Sequence, residues 1–115
     1  MMGALATALT EFADNGDSRT YTTAGHTSAK PKLVIQKRKV PTGNQTVAEF
    51  SGAVIHGTED ADGLVLPKKT SLTVSGSYDI NGDAADLAAA LVILRDLVAS
   101  DEFEASLTTQ NWAQQ

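Results

Sequence analysis

Apolar and polar residues alternate most cleanly between Lys68 and Tyr78. Ser71, Thr73, Ser75 and Ser77 fall on one side of an extended chain, and Leu72, Val74, Gly76 and Tyr78 on the other. That period of two predicts a strand with one wet face. Thr46 to Thr58 reads as a long strand with Gly52 inside it, at a bulge. Lys32 to Val40 reads as another, ended by the turn Pro41-Thr42-Gly43-Asn44. Residues 5–14 and 19–25 are polar strands around Asp14-Asn15-Gly16-Asp17-Ser18, a hairpin signal. The period changes at Asn81-Gly82-Asp83. Asp83 is a good N-cap for a helix running to about Ser100, and Asp101 caps a second one that carries Phe103 and Leu107.

The first helix sets the strongest constraint. From Leu87 to Ala99 only Arg95 and Asp96 are polar. A helix lying on a sheet and facing water needs an apolar stripe, not an apolar circumference. A chain of 115 residues has too few other elements to cover such a helix, so a second copy is the expected cover. Leu87, Leu91, Leu94, Val98 and, in the second helix, Phe103 are the expected dimer contacts. Strand length points the same way: the thirteen residues from Thr46 would span roughly 44 Å.

The length allows one domain, with a hairpin over 1–29, an antiparallel sheet over 30–79 and helices over 83–111. The fold class is α+β. There is no cysteine, which excludes a disulfide scaffold, a thiolate metal site and a cysteine nucleophile. No basic segment precedes residues 3–10, so no leader is expected, and no run of about 18 apolar residues predicts a membrane span.

Charge changes the picture. The net charge is −5, yet residues 30–39 hold five cations and no acid, while the remaining residues hold four cations and fourteen acids. Such segregation creates a local basic field on an acidic chain. Parity puts Lys32, Val34, Gln36 and Arg38 on one face of their strand, and Leu33 and Ile35 on the other, towards the helices. With the polar faces aligned, Lys32, Gln36 and Arg38 share a surface with Ser71, Thr73 and Ser75, and with Glu49 and Ser51 of the long strand. Lys30 and Lys69 stand at the strand entrances. Cations neutralise phosphates, and hydroxyls bond phosphate, 2′-OH or base edges. No aromatic platform lies on this face, which disfavours a single-strand-binding barrel or an RNA-recognition motif.

Other constellations fail. Asp79-Ile80-Asn81-Gly82-Asp83 opens like a calcium loop, but Ala84 stands where the glycine belongs and Ala90 where the final carboxylate belongs. His26 and His56 have no partner at ligand spacing. No nucleophile elbow, phosphate loop or dinucleotide fingerprint is present, so no catalytic residue, metal site, cofactor or small-molecule substrate is expected.

The order of hairpin, long strands and two terminal helices resembles the coat protein of single-stranded RNA bacteriophages, the levivirus group, over roughly residues 9–112. The stretches that carry it are Asp14-Asn15-Gly16-Asp17 with Arg19-Thr20-Tyr21, then Pro31 to Arg38, Gly52-Ala53-Val54-Ile55, and Thr70 to Ser75 leading into Asp86 to Leu91. The resemblance implies an interlocked homodimer whose sheets join edge to edge and whose helices pack over the partner. It implies an icosahedral capsid assembled in the bacterial cytoplasm, with the sheet facing the RNA genome. It also implies binding of an RNA hairpin as a translational repressor. The family's inward positions match Lys32, Val34, Gln36, Arg38, Glu49, Ser51, Ser71, Thr73 and Ser75. Glu49 and Val34 depart from an ideal RNA surface. The acidic loop 59–63 falls where the family makes symmetry-axis contacts. A β-rich fibre or pilus-like subunit without RNA is the alternative.

Overall fold

The computed structural model describes residues 5–112. Five strands form one antiparallel sheet in chain order: β1 (Thr10–Asp14), β2 (Ser18–Thr22), β3 (Lys32–Lys39), β4 (Val47–His56) and β5 (Thr70–Asp79). Two helices follow, α1 (Ala84–Ala99) and α2 (Asp101–Thr109). The chain divides into two compact units, Met1–Asp79 and Ile80–Gln115, so the change of period at Asn81 marks the division.

In the first unit, the Asp14–Ser18 turn closes as its residues dictate. Gly16 takes a positive φ of 81° and donates its N–H to Asp14 Oδ1 at 2.9 Å. The first strand starts only at Thr10, and β2 ends at Thr22, each shorter than its sequence pattern suggests. The bulge lies not at Gly52, which pairs without a shift, but between Glu11 and Ala13. There Phe12 drops out of the pairing. The shift brings Asp14 opposite Arg19, and the two form an ion pair at 3.5 Å. Phe12 meets the His26 ring edge-on at 5.8 Å between centroids. His26 Nδ1 in turn accepts the Lys32 N–H at 3.0 Å, which ties the connection between β2 and β3 to the start of β3.

β4 has ten residues, not thirteen, and spans roughly 34 Å. Its length therefore gives no argument for an element shared between subunits. Exposure does. Among the described residues, Ala48 is the only buried hydrophobic one. The segment 57–69 between β4 and β5 is ordered by its own bonds. Asp60 Oδ1 accepts from Asp62 and Leu64 N–H, and Thr58 Oγ1 donates to Lys68 O at 2.7 Å.

In the second unit, Asp83 caps α1 by accepting the Ala85 N–H at 2.9 Å, with Asp86 in the first turn. The second cap differs from expectation: Ser100, not Asp101, is the N-cap of α2. Ser100 Oγ accepts the Phe103 N–H at 3.1 Å while donating to Leu97 O at 2.7 Å. One residue thus stops α1 and starts α2. The hydroxyl does this better because its single O–H serves the last orphan carbonyls while its lone pairs serve the next helix's N–H groups. No residue of either helix is buried. Leu87, Leu91 and Val98 are exposed, while Leu94 and Phe103 are half-buried.

Candidate nucleic-acid interface

Cross-strand register decides which side chains share a face, because directly opposed residues in an antiparallel pair point the same way. Four rows, with the pair Val47 and Asp79 at the margin, lie on one face of the sheet. Ser18, Lys37, Ser51 and Ser75 are opposed across β2 to β5. Beside them run Thr20, Ile35, Ala53 and Thr73, and then Thr22, Leu33, Ile55 and Ser71. Lys39, Glu49 and Ser77 form the row at the other side. This is the hydroxyl face. A shallow depression of about 460 Å³ lies over Lys37, Lys39, Glu49, Ser51, Ser75 and Ser77.

The opposite face is mainly apolar. Tyr21, Val34, Val54 and Leu72 form its central row. Arg19, Gln36, Gly52 and Val74 lie next to it, followed by Arg38, Phe50 and Gly76. The Phe50 ring lies over Gly76, so close that a Cβ there would stand 2.8 Å from it. Lys32 shares its row with His56 and Thr70. A second depression, about 500 Å³, lies among Arg19, Tyr21, Gln36, Arg38, Phe50 and Val74.

This register corrects the surface expected from parity. Lys32, Val34, Gln36 and Arg38 do not share a face with Glu49, Ser51, Ser71, Thr73 and Ser75; they lie on the apolar side. Nor do Leu33 and Ile35 join the apolar face; they sit among the hydroxyls. The physical reason is Val34. It is opposed by Val54 and Tyr21, so the pairing gathers it with apolar side chains of the neighbouring strands and carries Gln36 and the two cations of the same parity along with it. Both parities of β3 mix apolar and charged residues, so the strand alone does not declare its own orientation. Within β4 and β5 the expected alternation holds. Sequence reasoning missed Lys37 and Lys39, and only the pairing of β3 with β4 brings them to the hydroxyls.

The cations differ in what holds them. Arg38 pairs with Asp17 at 3.5 Å, Lys30 with Glu59 at 3.1 Å, and Lys39 with Glu49 at 3.8 Å. The Arg19 guanidinium is held above its ordinary range, first by a hydrogen bond to Tyr21 and then by the neighbouring Asp14. Among the described residues, Lys37 is the cation of the hydroxyl face that takes part in no ion pair. Lys30 and Lys69 lie outside the strands, in the approaches to β3 and β5.

No protein-family model and no curated protein sequence matches the chain. Solved structures do. A chain of the virus-like particle of Wenzhou levi-like virus 4 superposes with a TM-score of 0.79 at 13% identity, over 95% of this chain and 80% of that one. One from Beihai levi-like virus 32 gives 0.72 at 14% identity, over 93% and 84%. This chain has the fold of a levi-like virus-particle subunit. A chain of the virus-like particle of bacteriophage AC gives 0.64 at 17% identity over 90% and 96%. The levi-like fold thus accounts for nearly the whole chain, including the order of sheet and helices expected from its sequence.

Proposed function

We propose that the chain is the coat subunit of a single-stranded RNA phage. It dimerises, closes into an icosahedral shell and lines that shell with the hydroxyl face of its sheet. The observation that carries the reading is the extensive match to chains of levi-like virus-like particles. Two features of this chain support it independently.

The first is apolar surface without cover. Phe50 is 41% exposed, and Val54, Leu72, Val74 and Tyr78 beside it are similarly open. In α1, Val92 and Ile93 are 59% and 70% exposed. Full burial of a side chain of this size contributes about 1.5–3 kcal/mol. A second copy supplies apolar surface of the same kind, and a contact of this character is typical of obligate dimers. The second feature is the opposite face, where Lys37, Lys39 and rows of serine and threonine offer charge and hydrogen bonds but no stacking platform. Such a surface suits backbone-directed RNA packaging.

Expression of the full-length chain, followed by sedimentation with and without ribonuclease, tests the reading. The expected result is a fast-sedimenting particle whose absorbance at 260 nm exceeds that at 280 nm and whose RNA survives the nuclease. A small, nucleic-acid-free species would overturn it, and empty filaments would favour a fibre-like subunit instead.

A further inference from the structure

Two acids stand on the hydroxyl face: Asp79, opposed to Val47 at its margin, and Glu49, which lies among the lysines and serines. Glu49 is directly opposed to Lys39 on β3, and its carboxylate lies 3.8 Å from the Lys39 ammonium. Ser77 completes that row. One row along, Lys37 stands opposite Ser51, with Ser18 and Ser75 beyond it on either side, and with no carboxylate in its row. The two lysines of this face are therefore not equivalent: one is bare and flanked by hydroxyls, and the other is masked by a carboxylate.

We propose that the Ser18–Lys37–Ser51–Ser75 row is the principal phosphate subsite for single-stranded RNA, and that Glu49 restrains Lys39 so that the face engages one phosphate per subunit strongly rather than two. This deepens the RNA-lining reading above and rests on it. An exposed ion pair is weak, so Glu49 does not lock Lys39 away. A phosphate that took Lys39 would have to displace Glu49 and leave its carboxylate alongside, and that repulsion offsets part of the gain from neutralising the phosphate. The carboxylate also stands among the groups the phosphate would approach. Masking of this kind keeps the lining loose enough for a long RNA to shift register while the shell closes.

The test measures affinity of the full-length protein for a fluorescently labelled, mixed-sequence, single-stranded RNA of about twenty nucleotides across a salt series. Glu49 is exposed, and Glu49→Gln keeps its shape while removing its charge. The expected result is tighter binding at low salt, by about three- to ten-fold, and a salt slope steeper by about 0.7, the value for one additional single-strand phosphate contact. Adding Lys39→Ala to Glu49→Gln should return the slope to its starting value. Lys37→Ala should flatten the slope by about the same 0.7. If Glu49→Gln tightens binding equally with and without Lys39, the carboxylate acts through bulk charge and the masking is refuted. If Lys37→Ala leaves the slope unchanged, the subsite is refuted although the RNA-lining reading stands. If the unaltered protein fails to bind RNA at any salt, both fall together.

Discussion

Single residues here act mostly by fitting two elements together. Gly57 follows the end of β4, and a Cβ at that position would stand 2.8 Å from the backbone Cα of Lys30. Backbone cannot swing aside as a side-chain tip can. The Gly57 N–H also donates to Pro31 O at 2.8 Å, so the contact is fixed from both sides. Gly57→Ala should therefore destabilise the chain by about 1–3 kcal/mol, read as a lower denaturant midpoint at unchanged slope. Ser100 is the corresponding joint of the helical unit. Ser100→Ala removes the hydroxyl's bonds to Phe103 N–H and Leu97 O, leaving only the backbone N–H on Leu97 O, and should cost about 1 kcal/mol, whereas Ser100→Asp should recover the α2 cap. Thermal denaturation of the two variants separates capping from the loss of a side chain.

At the scale of elements, the outcome turns on how one strand is phased. The hairpin turn, the alternation of β5, the Asp83 cap and the extent of α1 were all legible, because each is encoded within a few neighbouring residues. The orientation of β3 was not. Leu33, Ile35, Lys37 and Lys39 mix apolar and charged residues just as Lys32, Val34, Gln36 and Arg38 do, and a shift of one position exchanges the faces. The expected site consequently combined residues from both sides of the sheet. The bulge was misplaced for a related reason: Gly52 invites one by composition, but Phe12 has it because the hairpin must bring Asp14 opposite Arg19. The phasing has a direct test. Replacing Lys37 and Lys39 with Ala should reduce RNA affinity and flatten its salt dependence, whereas replacing Lys32 and Arg38 should change dimer stability more than the slope. The reverse pattern, measured by a salt titration beside a dissociation assay, would restore the original face.

At the scale of the whole molecule, the chain exposes what a folded monomer normally hides. A sheet face of Val34, Phe50, Val54, Leu72 and Tyr78, and a helix apolar around its circumference, both await cover. The expectation of a partner came from the run from Leu87 to Leu94, since no amphipathic stripe could be drawn on it. The strand-length argument for the same conclusion was not sound, as β4 proved shorter. Leu91→Asp should abolish the soluble dimer, because pairing would then bury an uncompensated carboxylate. Size-exclusion chromatography with light scattering reads this, and a folded dimer of the variant would contradict the burial argument. The most direct test of the coat-subunit account is a cryo-electron-microscopy reconstruction of the particles formed on expression. The account predicts a closed shell in which Lys37, Ser51 and Ser75 point inward toward nucleic-acid density. A shell with Lys32, Val34 and Arg38 lining its interior, or the lack of any shell, would contradict it.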